Sequence, residues 1–411
     1  MTRLNGNSPQ TGQQPDGAVL GRPQGGDYDV VVVGARVAGA ATAMLLARRG
    51  HRVLMVDRAP AGADTTSTHA VLRTGILQLK RWGLLDRVIE SGAPAIPRVT
   101  LGFGSELVPI ALSDDFGVDS LYAPRRSVLD PILTGAAVEA GVEYLDRCRA
   151  KSLVTDSDGT VRGVVLDAGD GEISVPARMV IGADGAWSKM AKWVNASTYS
   201  QYPAANTVYY AYYSGIETHG VYFQFTPGVT AGLIPTNDDL VCVYGGWPKD
   251  TITAFRDEPD VAFTSLVGSA HPLLQDAMAG GTRVSPFRGI QGLAGFLRKP
   301  GGPGWALVGD AAYTKDPVSA HGISDALRDA ELCACAVDVS LTDPSEAGAA
   351  FDRYQQVRDE LSSGMLAWSS ELAAYRWDEA RASQLMRNLS GAVKAECEAL
   401  VNGVGVMMPA V

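Results

Sequence analysis

Cysteine is scarce in this chain: five residues in 411, scattered as Cys148, Cys242, Cys333, Cys335 and Cys397. An odd set whose closest pair lies two apart gives neither a disulfide framework nor the CxxC spacing of a redox or zinc site. Structural thiols in a reducing, cytoplasmic compartment are expected. Histidine is equally rare, five in all, with no HExxH or comparable grouping, so no metal is expected. No apolar run approaches the roughly 20 residues that a membrane-spanning helix needs, so no membrane association is expected. Lys/Arg-rich runs are missing and the formal net charge is −10, which argues against nucleic acid as a partner. Residues 1–26, rich in Gly, Gln, Asn and Pro, lack the apolar centre of a signal peptide and read as a disordered tail.

What the chain does have is length for two packed domains and an ordinary apolar fraction, 46 %. It is organised around residues 27–57. The apolar run 30–33 suits a parallel strand buried on both faces. A glycine turn follows, then a helix over 38–49 built from small residues and strong formers, closed by Gly50. A second apolar strand, Val53–Val56, ends in Asp57. This βαβ unit carries a dinucleotide fingerprint. Gly34 permits the tight turn, and Gly39 lets the helix lie against the sheet. The free N–H groups and partial positive charge at the start of the helix suit a pyrophosphate. Asp57 stands at the offset where a carboxylate accepts from a ribose diol. Arg36 occupies the middle position of the turn, where the pattern has glycine.

Beyond Asp57, a small-residue loop over 60–68 leads into helical periodicity that Gly83 weakens. Arg73, just before that helix, is either a surface charge or a group reaching back to a phosphate. Residues 96–119 alternate weakly, as strands leaving the first domain. The run 122–130 opens a helix that reaches about 140, and strands are expected near 143–145, 150–155, 161–167 and 172–176. Asp-Gly turns at 158–159 and 170–171 make the last three an antiparallel meander. A short apolar strand then delivers Asp184-Gly185, with Ser188 in the first turns of a helix. Between 196 and 285 aromatics crowd into candidate strands at 206–214, 219–226, 230–235 and 239–246. An aromatic-rich sheet face suits a planar apolar substrate, although the same side chains also read as sheet core. Helices are expected over 259–268 and 272–279. Near 305 another buried strand delivers Gly309-Asp310, and a loop with Pro317 and Gly322 feeds a helix aimed at the middle of the domain. From about 345 the chain reads as mostly helical.

These three blocks, in this order, resemble the class A FAD-dependent monooxygenases built like para-hydroxybenzoate hydroxylase. Arg73 and the run Arg126-Ser-Val-Leu129-Asp130 add to the match, which spans roughly residues 28–365. The first turn is similar to a bacterial subgroup reading Gly-Ala-Arg-x-Ala-Gly, which makes Arg36 a variant of the subgroup. The resemblance implies an α/β fold with a Rossmann-like FAD-binding domain (27–95, 120–195 and 286–345), a mostly parallel sheet with a small antiparallel meander. An antiparallel substrate-binding sheet (96–119 and 196–285) and a C-terminal helical segment (346–411) complete it. By the same resemblance, Gly34, Ala35, Arg36 and Gly39 would receive the FAD pyrophosphate, and Asp57 with Arg58 the adenosine end. Arg73 and Arg126 would lie along the pyrophosphate and ribityl chain. Asp184 and Gly185 would contribute to the FAD site and to the surface that NAD(P)H visits. Asp310 would bind ribityl hydroxyls. The backbone after Pro317, around Gly322 and Ile323, would face the flavin N1–C2=O edge, where a helix N-terminus stabilises the negative charge of the reduced ring.

The implied activity is a single-component monooxygenase. NAD(P)H reduces FAD, O2 adds at C4a, and oxygen passes to an electron-rich aromatic or polyketide-like small molecule. His321, His219 and sheet tyrosines such as Tyr210 and Tyr222 are candidates for binding or deprotonating a phenol. His321 leads because it adjoins Gly322, with a purely structural role as the other reading. His51 and His271 read as surface or capping residues. Two departures bear on the NAD(P)H contact: Tyr313 stands where the family often has histidine, and Ala191 where it usually has arginine. A geranylgeranyl reductase-like dehydrogenase shares every nucleotide motif. A flavin halogenase would carry a Trp-x-Trp-x-Ile-Pro segment, which this chain lacks. A flavin-binding protein without chemistry fits the aromatic middle segment poorly.

Overall fold

The computed structural model describes residues 23, 26–67, 69–169, 171–251 and 258–402. The tail expected over 1–26 lies almost wholly outside these residues, as do Thr68, Asp170 and the last part of the C-terminal segment.

The opening unit is β1 (Tyr28–Val33), α1 (Val37–Arg48) and β2 (Val53–Val56). After it come α2 (Arg73–Arg81) and α3 (Leu85–Glu90). Gly83, at φ +73°, parts them, so a single weakened periodicity is two helices joined by a left-handed turn. The hairpin β3 (Arg98–Phe103) and β4 (Glu106–Ala111) precedes α4 (Arg126–Glu139), β5 (Glu143–Leu145), β6 (Arg149–Thr155), β7 (Val161–Asp167) and β8 (Glu172–Gly182). β8 is one strand of 11 residues where the sequence suggested two. Its first half closes the meander, Ile173 opposite Leu166, and its second half lies parallel to β1, Val180 opposite Val31. Then follow α5 (Lys189–Trp193), β9 (Thr198–Tyr202), β10 (Asn206–Ser214), β11 (Val221–Thr226), β12 (Val229–Pro235), β13 (Val241–Pro248), α6 (Pro259–Ala270) and α7 (Pro272–Gly280). Short strands lead to Trp305–Leu307, and α8 (Gly322–Thr342), α9 (Ala347–Ala373) and α10 (Glu379–Val401) close the chain.

Two large sheets result. The first runs β5–β2–β1–β8–Trp305–Leu307, all parallel, with the strand Gly301–Gly302 antiparallel at its edge. Alternation divides its side chains. Val30, Val32, Met55 and Ile181 pack toward α1, α4 and α8, whereas Val31, Leu54, Val180 and Leu307 pack toward the meander. Each fully buried Val, Leu or Ile contributes about 1.5–3 kcal/mol. The second sheet runs β10–β13–β12–β11–β3–β4 and is antiparallel except between β11 and β3. Its inner face carries Tyr210, Tyr212, Phe223, Phe225 and Tyr244 toward α9, α10 and the first domain. Its outer face carries Tyr213, Tyr222 and Val243 beneath α6 and α7. All five cysteines are free and buried. No helix among the described residues is long and apolar enough to cross a membrane.

Candidate active site

The three glycine turns meet at one edge of the parallel sheet, where its strands deliver their C-terminal ends. A Cβ on Gly34, at φ +109°, would stand 2.3 Å from the Ala183 carbonyl oxygen, and one on Gly39 would stand 1.8 Å from the Gly34 oxygen. A Cβ on Gly309 would lie 2.7 Å from that of Ala38. The turns after β1, β8 and Trp305–Leu307 therefore interlock with no space for side chains. Asp57 braces the first of them: Oδ2 accepts the Ala35 N–H and Oδ1 the Ala59 N–H, each at 2.8 Å. Arg36 precedes α1 and offers it no side-chain cap; its guanidinium reaches the Thr65 hydroxyl instead. Ala35, Arg36, Asp57, Asp130 and Tyr144 line a groove at this end, with Arg58 exposed beside it.

Arg126 and Asp130 continue the groove as a buried bidentate pair, at 2.8 and 2.9 Å. Burial raises the Asp130 pKa, opposed by Arg126. Asp310 is open to water yet closely surrounded by protein, and burial raises its pKa against the pull of Lys315 and Arg126. At the far end, a Cβ on Gly322 would meet nothing within 4 Å, so the N-terminus of the 21-residue α8 faces open space, with Ile323 buried behind it. A side-chain-free turn at a helix start, an acid at the ribose offset, the exposed Asp310 after the third turn and a second open helix N-terminus fit an extended dinucleotide such as FAD.

Several expected residues lie elsewhere or are engaged otherwise. Arg73 donates to the Ser113 carbonyl at 3.1 Å and stands 3.9 Å from Asp115, so it faces the 113–115 turn. Asp184 accepts from Ser188 Oγ at 2.5 Å and from the Lys189 and Met190 N–H groups, so its carboxylate caps α5 while Gly185, at φ +82°, shapes the turn. Tyr222 lies under α7, edge-on to His271, on the sheet face away from the cleft. His219 is exposed on the turn after β10. His271 caps α7, and His51 pairs with Asp338 at 2.7 Å.

His321 is not free to act on a substrate. Its Nδ1 is 3.0 Å from Asp325 and its Nε2 3.3 Å from the Thr74 hydroxyl, in a fully buried cluster. Burial, then Lys315 and Arg328, holds its pKa well below the ordinary imidazole value. Lys315 pairs with Asp325, while Arg328 bonds Asp325 at 3.1 Å and Asp329 at 2.7 Å and stands 3.6 Å from Glu396. Asp325, Glu396 and His321 sit close enough to suggest a metal site, but Lys315 and Arg328 already neutralise these acids. The imidazole anchors the first turn of α8 to α2 and α10.

The inner face of the second sheet lines a second, small cavity. Phe223, Ile234 and Tyr244 face Pro317, Val318 and Ala320 across a small cavity, with Asn206 and Thr230 at its polar end. Tyr210 stands nearby, its hydroxyl accepting the Ser67 N–H at 3.1 Å, and burial pushes its pKa up to about 12. Sequence reasoning passed over its neighbour His69. That residue is buried at φ +64°, hydrogen-bonded through Nε2 to Tyr212, and burial lowers its pKa to about 3, aided by Arg126. Its Nδ1 has no partner among the described residues. No periodicity marks a histidine in a Ser/Thr-rich loop. Its left-handed backbone was the only signal, and that is visible only in three dimensions.

The family model described as an FAD binding domain matches residues 27–369. Digeranylgeranylglycerophospholipid reductase 1 of Methanococcoides burtonii is 28 % identical over 73 % of this chain and 72 % of its own length. Among solved structures, a triple mutant of the flavin-dependent brominase Bmp2 aligns with a TM-score of 0.79 at 19 % identity, covering 92 % of this chain and 96 % of that one. PqsL of P. aeruginosa, in complex with 2-aminobenzoylacetate, aligns with a TM-score of 0.76 at 22 % identity, covering 88 % and 100 %. At these identities the structural likenesses establish the fold.

Proposed function

The chain belongs to the FAD binding domain family, with the class A flavin monooxygenase fold, and from that premise we propose that it is an FAD-dependent monooxygenase acting on a compact aromatic molecule. The observation that carries this reading is the small cavity between the 317–320 turn and the aromatic sheet face, lined by Phe223 and Tyr244 together with Asn206 and Thr230. Such a site takes a planar ring better than a long isoprenoid chain.

Bound FAD would supply hydride acceptance from NAD(P)H and activation of O2. The protein's own residues supply the rest. The start of α1 and Arg36 would hold the pyrophosphate, Asp57 the ribose and Asp310 the ribityl hydroxyls. The open N-terminus of α8 would offer positive potential to the flavin ring. Phe223, Ile234 and Tyr244 orient the substrate ring and exclude water from it.

The likeness to the archaeal reductase favours one second reading, an FAD-dependent reductase of an unsaturated chain. One experiment separates the two. FAD-loaded protein is given NADH or NADPH in air with a panel of phenols, and in parallel under argon with a polyprenyl substrate. Ring-stimulated oxidation of the nicotinamide with a product heavier by one oxygen supports the monooxygenase. Turnover under argon with saturation of a double bond overturns it.

A further inference from the structure

The two walls of the small cavity are tied together by one of its own lining residues. Asn206, the first residue of β10, is 3 % exposed and lines the cavity beside Thr230. Its Nδ2 donates to Asp316 Oδ1 at 3.0 Å, and the same oxygen accepts the Val318 N–H at 3.0 Å. Asp316 thereby caps the turn Pro317–Ser319, and Pro317, Val318 and Ala320 form the wall opposite Phe223, Ile234 and Tyr244. The Asn206 side chain therefore joins the sheet wall to the turn wall.

The orientation of that amide is set from outside the matched FAD domain. An Asn206 Oδ1 turned toward the Asp316 carboxylate would set acceptor against acceptor, so Nδ2 takes that side and Oδ1 the other. There Oδ1 accepts the Tyr375 hydroxyl at 2.9 Å, and Thr230 Oγ1, 2.9 Å from the same hydroxyl, donates to it. Tyr375 lies between α9 and α10, beyond the residues 27–369 of the family match. It holds φ +53°, and Ala320 on the turn wall holds φ +52°. Left-handed backbone at residues other than glycine persists where surrounding contacts fix it. β13 closes the remaining side: a Cβ on Gly246 would stand 2.7 Å from Thr230 Oγ1, 2.9 Å from the Tyr375 hydroxyl and 3.1 Å from Asn206 Oδ1. The amide is thus held on three sides.

We propose that Asn206 is a specificity-determining residue that fixes the spacing of the two cavity walls for a single planar ring, with Tyr375 as the positioning residue that holds its amide. This rests on the function proposed above, which takes the cavity as the substrate site, and adds a size limit: fused bicyclic rings are turned away. It also makes the junction between α9 and α10 part of the active site. Shortening Asn206 releases the turn wall from the sheet and opens space beside Thr230. Loss of the Tyr375 hydroxyl leaves the amide bonded at Asp316 alone and free to shift.

The test uses the full chain loaded with FAD and two probes, para-cresol and 2-naphthol, each titrated against the flavin absorption spectrum. A site with room for the second ring would favour the naphthol by at least about tenfold on buried apolar area alone. The wild type is expected instead to favour the cresol by at least about tenfold, because forcing extra carbons into a fixed space is costly. Asn206→Ala should reverse the preference, and Tyr375→Phe should move it partway. A merely structural role would weaken both probes alike and leave their ratio in place. FAD affinity, measured on the apoprotein, should stay within about twofold in both variants, since a lost hydrogen bond to the charged cofactor would cost about tenfold. A wild type that favours the naphthol, or binds neither probe, overturns the proposal. So does a ratio that Asn206→Ala leaves unchanged, or a loss of FAD affinity as large as the change in ratio, which would assign Asn206 to the cofactor site. If Asn206→Ala does not fold, the near-isosteric Tyr375→Phe decides, and an unchanged ratio there overturns the proposal. A wild type that cannot take up FAD overturns the proposed function and this inference together, whereas one that oxygenates aromatic rings while binding the naphthol more tightly overturns this inference alone.

Discussion

Two buried polar clusters flank residues 313–325, and they differ in how their charges are met. In the one beneath α8, each acid has a cationic neighbour: Asp325 has Lys315 and Arg328, Asp329 has Arg328, and Glu396 has Arg328 at 3.6 Å. In the other, Asp316 is bonded at one oxygen by neutral donors, and no cation faces it among the described residues. The difference teaches how each cluster offsets the burial of its acids. Charges that compensate one another hold helices together, as His321, Arg328 and Glu396 join α8 to α2 and α10. Asp329 Oδ2 and Glu396 Oε1 also lack a hydrogen-bond partner among the described residues, but both carboxylates stand beside Arg328, whereas Asp316 Oδ2 has no cation beside it.

The comparison breaks most visibly at Arg328. Arg328→Leu leaves Asp325, Asp329 and Glu396 facing one another and should cost about 3–5 kcal/mol, read from the denaturant midpoint. A loss below about 1 kcal/mol, the range of an exposed pair, would mean that the cluster is not held by charge. The second effect concerns pH. Burial raises the folded pKa of Asp316 from 3.8 to about 6, against the bonds from Asn206 and the Val318 N–H. The folded state then holds this proton more tightly than the unfolded one. The contribution of Asp316 to stability is therefore complete at low pH and falls as pH rises between about 4 and 6, by roughly 3 kcal/mol in all. Asp316→Asn should lack that decline and gain on the wild type toward neutral pH, in paired unfolding curves taken across the window. Tyr375→Phe removes one hydroxyl between Asn206 and Thr230 and should cost about 1–2 kcal/mol in thermal melts without changing the pH trend. At the small end stands the exposed pair Arg87–Glu139, at 2.6 Å; Arg87→Ala should change stability by less than about 0.5 kcal/mol. A cost comparable to that of Arg328→Leu would remove the distinction between paired charge inside and outside the core.

The elements of the nucleotide half were legible because their signals are local. An apolar run followed by glycine and small residues reads directly as β1–α1–β2, and Val53–Val56 is a strand as expected. The close fit of Gly39 against Gly34 could be expected from their spacing, whereas the approach of Gly309 to Ala38 was expected only from the family resemblance. The second sheet was legible as strands but not as faces. Tyr210 and Tyr222 look alike in sequence, yet pairing of Tyr210 with Tyr244 and of Tyr222 with Leu233 sends the first inward and the second beneath α7. Register against neighbours decides that, and one residue of slip would reverse it. Arg73 and Asp184 were found as residues but not as contacts, since either side chain had more than one partner in reach.

The amino-acid sequence by itself determined the order of strands and helices, the turns that only glycine can make and the acid that ends β2, because these follow from backbone sterics and from periodicity over a few residues. The tertiary structure alone decided which polar groups are completed and which are not. Asp316, Asn206, Thr230 and Tyr375 come from segments far apart in the chain, and whether a buried oxygen finds a donor depends on how those segments pack. Local preference sets where the chain turns; satisfaction of buried charge is a property of the packed whole.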